Sequence, residues 1–299
     1  MTFNPNNKSF TLIELLVVIA IIGVLSAIVI TSMSGAITRS KIARLQIFSD
    51  SIRAQLSDSL VSYWSFNEGT GTTAYDQWEG NNGTLTNFNF DSTDGWRSGG
   101  ECVSGKCLEF DGSNDYVDCG TDKSLTSEQG TILFWLKTNE LGDIDDLFTI
   151  KENSTHDFLL IRKSANDTIY IAIEDDDILK VSIYSTQTIA DLNWHYLAVT
   201  QNGSGVKVYF DGINLSISGT NSSYWTDHLS LYGVFIAAGF WDLFNGLIDE
   251  VRIYNSAATI TQIQSQYLAG LDKLLSNGAI SKSEYNQRIK ELSKSLVNE

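Results

Sequence analysis

Paired carboxylates are the first residues in this sequence that could do chemistry, since hydrolases of glycans use two of them. Retaining glycan hydrolases hold the two groups about 5–5.5 Å apart, which a strand achieves with alternating acidic residues. No apolar, strand-like segment here shows that alternation. Asp249 and Glu250 are direct neighbours, so we expect them on opposite faces of their strand.

Other catalytic patterns are also missing from the sequence. The three histidines, His156, His195 and His228, lie far apart, and no nucleophile motif stands near them. There is no G-x-S-x-G, H-E-x-x-H or P-loop pattern. We therefore predict that this protein is not an enzyme.

The three cysteines, Cys102, Cys107 and Cys119, fall within one stretch of the chain. Without a C-x-x-C pair or a histidine at ligand spacing, a zinc site is not expected. In an exported domain, Cys102 and Cys107 could close a short disulfide loop. Cys119 would then remain as a buried thiol that behaves as a small apolar side chain.

Tryptophans are candidates for sugar contact, because an aromatic ring can stack on a sugar ring. Four stand in polar or glycine-flanked contexts and are the candidate ligand aromatics: Trp78, Trp96, Trp225 and Trp241. Packing within the core or a loop is the competing interpretation for each of them. Three others lie inside apolar strand motifs and are predicted core residues: Trp64, Trp135 and Trp194.

The charge balance restricts the partners of this protein. Its 299 residues carry 20 Lys and Arg against 36 Asp and Glu, a net charge of −16. Nucleic acid is not an expected partner, because its recognition requires a basic face. Acidic clusters can hold hard cations such as Ca²⁺. The acidic runs at residues 143–146 and 174–177 are nevertheless expected in solvated loops.

The N-terminal element is expected to lie in a membrane. From Phe10 to Ile30 the chain is apolar except for Glu14, and these 21 residues span roughly 31 Å as a helix. A cleaved secretory signal is the main alternative, although its apolar part would be shorter. Residues 31–60 continue with apolar positions three, four, seven or eight apart, which predicts an amphipathic continuation of the same helix.

The period changes at Val61. Short segments of aromatic and β-branched residues then alternate with Gly, Asn, Asp and Ser clusters as far as residue 255. Asp211-Gly212 between two such segments predicts a tight hairpin. Many short strands with few helices indicate a mainly β, antiparallel sandwich or barrel. From Ser256 onward, helical spacing returns, Gly278 is placed to end one helix, and Ser281 with Glu284 forms a capping box for a second.

The N-terminus resembles type IV prepilins, including the pseudopilins of type II secretion. The resemblance rests on Lys8-Ser9 followed by Phe10-Thr-Leu-Ile-Glu14-Leu-Leu. It implies cleavage between Ser9 and Phe10 by a prepilin peptidase and methylation of the new N-terminus at Phe10. The class usually has glycine before the cut, where this chain has Ser9. The resemblance also implies that Glu14 pairs with the N-terminal ammonium of the next subunit, which offsets the burial of both charges.

Residues 61–255 resemble the concanavalin A-like, laminin-G-type jelly roll. The matching stretches appear in the expected order at residues 63–76, 108–120, 193–212 and 246–255. Members of that superfamily often carry a structural Ca²⁺ where the first and last strands meet. The resemblance places this ion at Asp249, with Asn67 and Glu68 as partners, although the family often has Asp where this chain has Asn67.

The tail at residues 271–292 resembles a short C-terminal oligomerisation domain of bacterial proteins. A helical hairpin that is packed on the sandwich or left mobile is the competing interpretation. The predicted organisation is a leader at 1–9, a membrane and assembly helix at 10–60, a jelly-roll sandwich at 61–255 and a helical hairpin at 256–299.

The expected function is that of a pilus or pseudopilus subunit, minor or at the tip, made in the cytoplasmic membrane. Its domain is displayed outside the cell for adhesion to carbohydrate or a surface protein. Two alternatives stay open. One is a pseudopilin of a secretion or uptake system without glycan binding, and the other is a membrane-anchored carbohydrate-binding accessory that does not assemble.

Overall fold

The computed structural model of the protein describes residues 56, 58–121, 129–151, 157–189, 191–222, 233–240 and 242–295. The chain divides into two units, residues 1–51 and 52–299, and every described residue belongs to the second. Ser9, Phe10 and Glu14, with the rest of the predicted membrane segment, lie outside the described residues. None of the described helices has the length and apolar character needed to cross a membrane.

Two antiparallel sheets form a sandwich in the described part of the chain, which confirms the predicted fold class. The eight-stranded sheet consists of β1 (Leu60–Trp64), β4 (Gly95–Ser98), β5 (Lys106–Asp111), β7 (Gly130–Thr138), β12 (His195–Gln201), β13 (Val206–Phe210), β14 (Ile213–Asn214) and β17 (Asn245–Tyr254). The nine-stranded sheet consists of β2 (Thr73–Ala74), β3 (Gly83–Thr86), β6 (Tyr116–Thr121), β8 (Asp145–Lys151), β9 (Phe158–Lys163), β10 (Thr168–Asp175), β11 (Ile178–Thr188), β15 (Ile217–Asn221) and β16 (Gly233–Ile236).

About half of the strand pairs join strands that are not consecutive in the chain, as in a jelly roll. The eight-stranded sheet runs β14-β13-β12-β7-β17-β5-β4, and β1 pairs with the second half of β17. The nine-stranded sheet runs β15-β11-β10-β9-β8-β16-β6-β3-β2. Asp211 and Gly212 both have positive φ in the turn between β13 and β14, as the Asp-Gly pair predicts.

The main core lies between the two sheets. Alternate residues of each strand point inward and form one apolar cluster, whose largest members are Trp64, Phe66, Phe110, Phe134, Phe148 and Phe244. Trp64 is predicted as a core residue, and the structure confirms this. Cys119 is buried in the same cluster and is not part of a disulfide.

A helical hairpin forms a third layer on the outer face of the eight-stranded sheet. It consists of α1 (Ile260–Asn277) and α2 (Lys282–Ser295). Thr259 caps α1 in a capping box with Gln262, and Gly278 ends the helix at φ 77°. The hydroxyl of Ser281 accepts a hydrogen bond from the Glu284 N–H, as its capping role at α2 predicts.

The hairpin and the sheet share a second apolar cluster. Trp135 of β7 stacks on Tyr267 of α1 with ring centroids 5.7 Å apart, and it also contacts Tyr196. Gly270 allows the close approach, because a Cβ added there would lie within 2.5 Å of the indole of Trp135. The tail is therefore a helical hairpin packed on the sandwich, and an oligomerisation role stays a prediction.

The structure joins Cys102 to Cys107 in a disulfide, with Cα atoms 5.4 Å apart. The closed loop packs against the helical hairpin, since Asn277 donates from its side-chain amide to the Val103 carbonyl over 3.0 Å. Trp194, a predicted core residue, lies in the same cluster and donates from its indole to the Glu101 carbonyl. The third layer is thus bonded to the loop as well as to the sheet.

Candidate ligand-binding face

The outer face of the nine-stranded sheet carries a stacked pair of tyrosines. Tyr170 of β10 and Tyr184 of β11 are direct cross-strand neighbours, and their ring centroids lie 4.4 Å apart at 27°. The Tyr170 hydroxyl is 3.3 Å from the hydroxyl of Ser182 on the same face. Tyr184 is 43% exposed, so the pair offers a ring surface to solvent. Such a surface can stack on an apolar ring or on a sugar.

A fixed cation stands beside the tyrosines. Arg162 of β9 is the cross-strand neighbour of Tyr170. Its guanidinium binds both carboxylate oxygens of Asp146, at 2.5 and 3.1 Å. Burial alone would lower the pKa of Arg162, but its bonds to Asp146 and the charge of Asp242 raise it. The guanidinium is therefore held in one orientation by its acidic partners.

A second aromatic group surrounds Lys151 at the end of β8. The ammonium lies 5.1 Å from the ring centroid of Phe235 and 4.9 Å from that of Phe240. It also donates a hydrogen bond to the Gly239 carbonyl. Partial burial lowers the pKa of Lys151. Phe158 meets Phe240 edge to face at 4.8 Å, which extends this group across β9.

The candidate tryptophans have different environments. Trp78 is 51% exposed in the loop after β2. Trp96 lies on β4 and packs against the main core, and its indole donates to the Gly71 carbonyl over 3.0 Å. Trp225 and Trp241 lie outside the described residues.

The residue-level prediction missed the tyrosine pair. Its pattern was nevertheless readable, because in β10 the isoleucines at 169, 171 and 173 alternate with Tyr170 and Ala172. With the isoleucines inward, Tyr170 must face outward. The predicted ligand aromatics were all tryptophans, so the tyrosines of this face were not among them.

Family models match two parts of the chain. Residues 111–264 match the concanavalin A-like lectin/glucanases superfamily. The chain belongs to this superfamily. Residues 4–30 match the prokaryotic N-terminal methylation motif, so the resemblance to type IV pilins at that end is confirmed.

Solved structures with this superfamily's fold include proteins of different activities. Domain 4 of AbnA, a GH43 extracellular arabinanase from Geobacillus stearothermophilus in complex with arabinotriose, has 19% identity and a TM-score of 0.52, covering 69% of this chain and 97% of the domain. The binding domain of Paraclostridial Mosquitocidal Protein 1 has 15% identity and a TM-score of 0.54, with coverages of 73% and 53%. Trypanosoma rangeli sialidase has 13% identity and a TM-score of 0.52, with coverages of 73% and 33%.

The chain therefore spans about a third of the sialidase and about half of the mosquitocidal binding domain. At these identities the likeness concerns the fold alone. The superfamily name includes both lectins and glucanases, and glucanases use paired carboxylates.

The prediction that Asp249 and Glu250 lie on opposite faces of their strand is wrong. They lie on the same face of β17, because the ladder to β7 shifts register between Asp249 and Arg252 and Glu250 has a φ of 58°. Asp249 accepts hydrogen bonds from Val103 and Ser104, whereas Glu250 bonds residues on the same helix-covered side. A bulge thus places two carboxylates together that simple alternation would separate.

The two carboxylates differ in their charge environment. Complete burial raises the pKa of Asp249 well above its usual range, and the negative charge of Glu250 adds to the effect. Burial would also raise the pKa of Glu250, but the charges of Arg252 and Lys273 lower it to about 2. Opposed pKa values are typical of acid–base pairs in enzymes. Here, however, the ionised member is held by its neighbours.

Glu250 has both oxygens engaged. One receives Lys273 of α1 at 2.8 Å, and the other receives the Tyr63 hydroxyl at 2.9 Å and the Arg252 guanidinium. A cavity of about 240 Å³ adjoins this group, between β1, β17 and α1. The arrangement joins the sheet to the helical hairpin, which is a structural role for the pair.

The residues predicted to bind calcium hold the disulfide loop. Asp249 Oδ2 accepts the Val103 and Ser104 N–H groups, both at 3.0 Å, and Asn67 Oδ1 accepts the Lys106 N–H at 2.9 Å. One buried oxygen each of Glu68 and Asp249 has no hydrogen bond among the described residues.

The Lys106 ammonium lies 3.3 Å from the Glu68 carbonyl, so a cation already stands in this region. Within the described ranges, no group of three or more His, Cys, Asp or Glu is placed to hold a metal. Calcium at these residues stays a prediction. A higher melting temperature when Ca²⁺ is added to EDTA-treated protein would support it, and an unchanged one would contradict it.

His195 joins two strands to a loop next to the helices. Its Nδ1 lies 2.8 Å from Asp211 and its Nε2 lies 2.7 Å from Asp191, while the ring stacks on Phe210. Burial would lower the pKa of His195, but the charge of Asp211 and the bond to Asp191 raise it to about 9. The imidazolium is therefore the form that this site stabilises at neutral pH.

The unfolding free energy is expected to fall as pH rises from 7 to 10. The folded pKa of His195 exceeds its ordinary value, so its contribution is complete below about pH 6.5 and is lost as pH rises through about 9. The loss is on the order of 3 kcal/mol. Urea titrations at several pH values measure it, and His195→Gln provides the baseline. Parallel curves for both proteins would contradict the assignment.

Proposed function

We propose that this protein is a type IV pilin-like filament subunit that displays a glycan-binding sandwich outside the cell. The observation that carries the proposal is the combination of an N-terminal methylation motif with a lectin-type domain in one chain. Cleavage between Ser9 and Phe10 by a prepilin peptidase, and packing of residues 10–60 against other subunits, belong to the proposal.

The arrangement of the sandwich supports display. The helical hairpin covers one sheet, whereas the face of the other sheet carries the exposed Tyr184 and its partner Tyr170. The sandwich begins at Leu60, which pairs with Tyr254 at the start of the C-terminal segment. The first residue of β1 and the last residue of β17 therefore lie side by side.

Binding rather than hydrolysis is the proposed activity of the domain. In the described residues, the adjacent carboxylates Asp249 and Glu250 are covered by α1 and bonded to their neighbours. The acids nearest the tyrosine pair among the described residues, Asp146 and Asp242, are engaged by the Arg162 guanidinium. The alternative ligand is a surface protein instead of a glycan. The alternative assembly is a pseudopilus instead of a pilus.

Replacing Glu14 with valine is expected to abolish surface filaments while leaving the protein in the membrane. The reason is that the valine removes the charge proposed to pair with the Phe10 ammonium of the next subunit and to set the register of assembly. Electron microscopy of sheared filaments from the producing cells measures the effect. Ile13→Val is the matched control, since it changes an apolar neighbour without touching a charge.

Intact mass of surface-recovered protein provides the second measurement for this proposal. Loss of residues 1–9 together with addition of a methyl group is expected. A mature chain that begins beyond Ile30 would contradict assembly through this segment. Normal filaments from the Glu14→Val protein would contradict the role given to the carboxylate.

A further inference from the structure

The loop between β2 and β3 is organised around one buried carboxylate. Asp76 accepts the backbone N–H groups of Trp78, Glu79 and Asn81 at 3.0, 3.2 and 3.0 Å. It also accepts the N–H of Tyr63 on β1 at 2.8 Å. A single side chain thus fixes the backbone of the loop and ties it to the edge of β1.

Further hydrogen bonds lock the loop from its other side. The fully buried Trp64 donates from its indole to the Asn81 carbonyl over 2.9 Å, and the Asn81 amide donates to the Ser62 hydroxyl over 2.9 Å. The Gln77 N–H donates to the Tyr63 carbonyl over 2.9 Å. Because these partners belong to a core strand, the loop cannot move without disturbing the sheet.

This rigid loop exposes two large aromatic side chains. Trp78 is 51% exposed, and Tyr75 at the end of β2 is 56% exposed. Trp78 donates its hydrogen bond to Asp76 from the backbone N–H, and this bond does not require an indole side chain. Because half of the indole is exposed to water, the protein does not gain the full hydrophobic free energy of burying it. Because the loop backbone is already fixed, little main-chain entropy is lost when a ligand stacks on this ring.

We propose that Trp78, with Tyr75 three residues before it in the same loop, forms a second sugar-stacking platform for an uncharged polysaccharide. The proposal rests on the glycan-binding function proposed above. Uncharged sugars are favoured because the exposed Glu79 follows the ring and the whole chain carries a net charge of −16. Carboxylate oxygens accept hydrogen bonds from sugar hydroxyls but repel acidic sugars.

If one ligand contacts both platforms, the distance between them requires a polymer. β2 is one edge of the nine-stranded sheet, whereas Tyr184 lies on β11, next to the opposite edge. Seven strand spacings separate β2 from β11, which is roughly 30 Å at about 4.8 Å each. One monosaccharide cannot reach both platforms, but one chain of many sugars can bind the two and gain avidity.

The test uses the full-length protein in detergent against immobilised neutral polysaccharides (arabinan, xylan, galactan and glucan), with heparin as the acidic probe. Trp78→Ala is expected to weaken binding of a neutral polymer about tenfold, and Trp78→Phe is expected to retain most of it. Tyr184→Ala tests the other platform independently. The melting temperature of each variant should stay within about 4 °C of the wild type, because each ring is about half exposed.

The outcomes separate this inference from the proposed function. If the wild type binds a glycan and Trp78→Ala binds it equally well, the second platform is refuted and the glycan-binding function stands. If the wild type binds none of the polysaccharides, both proposals fail. Preference for heparin would overturn the uncharged class. A dimer in solution that Trp78→Ala dissolves would identify a second copy of the chain as the occupant and overturn the platform.

Discussion

Replacing Gly270 with alanine is expected to destabilise the domain by about 3 kcal/mol, although alanine is the better helix former. Helix propensity alone predicts a gain of about 1 kcal/mol from this change. The added Cβ, however, would lie within 2.5 Å of the Trp135 indole. Trp135 cannot retreat, because it is buried between Tyr196 and Tyr267. The two effects have opposite signs, which makes the measurement decisive.

Thermal unfolding of the Gly270→Ala protein and binding of a hydrophobic dye measure this prediction. Displacement of α1 should lower the melting temperature and expose the apolar cluster that α1 shares with the eight-stranded sheet. Ser276→Ala is the matched control, because residue 276 is exposed on the same helix. It changes propensity without approaching the sheet and should cost little. A melting temperature that rises in both variants would refute the close contact.

The hairpin at residues 256–299 shows which information the sequence contained. Helical spacing, Gly278 and the Ser281 cap are local features, so the two helices were predictable from them. Gly270 lies mid-helix, where a glycine merely lowers confidence in the helix. Gly270 allows α1 to approach Trp135, which is more than a hundred residues away in β7. Only the packed structure brings those two residues together.

The acidic runs show the opposite difficulty. Residues 143–146 were expected in a solvated loop, but Asp145 and Asp146 begin β8 and are buried. Their cations, Lys163 and Arg162, come from the neighbouring strand β9. A run of acidic residues in the sequence predicts a solvated loop. Here the cations on the neighbouring strand pair with these residues and allow them to be buried. The register of β8 against β9 is not readable from either segment alone.

The bulge at Glu250 explains why the predicted orientation of the Asp249 and Glu250 side chains was wrong. Alternation along β17 is sound for most of its length, and Ile248 and Ile253 lie in the main core as it requires. A single residue in the left-handed region resets the pattern. Glu250 has no glycine or proline beside it to indicate this in the sequence. The argument against a glycanase from strand alternation depends on this one backbone feature.

Replacing Lys163 with methionine is expected to cost about 3–5 kcal/mol of unfolding free energy. The ammonium is fully buried and lies 2.7 Å from Asp145 Oδ2, 2.6 Å from the Asp143 carbonyl and 3.5 Å from Asp167 Oδ1. Methionine has similar length but no charge or donor. Asp145, which is 1% exposed on its side chain, would then be a buried carboxylate without its cation.

The pH dependence of the Lys163→Met protein identifies the mechanism. Burial already raises the pKa of Asp145, and the bond and charge of Lys163 oppose this. Without Lys163 the folded pKa rises further above the unfolded value of about 3.9. A raised carboxyl pKa favours folding at low pH, so the deficit of the variant should shrink as pH falls from 7 towards 4. Urea titrations at pH 7, 5.5 and 4 measure it.

Two further variants separate a buried charge from a general loss of packing. Lys180→Met removes a lysine whose ammonium lies 3.5 Å from Asp175 in a partly exposed pair on the adjacent hairpin, and it should cost about 0–1 kcal/mol. Adding Asp145→Asn to Lys163→Met should restore stability and flatten the pH profile, because no uncompensated charge remains. Equal costs for the two lysine variants, or a double variant no better than Lys163→Met, would show that the ammonium does not neutralise Asp145. The pair would then hold the loop at residues 143–145 through shape alone.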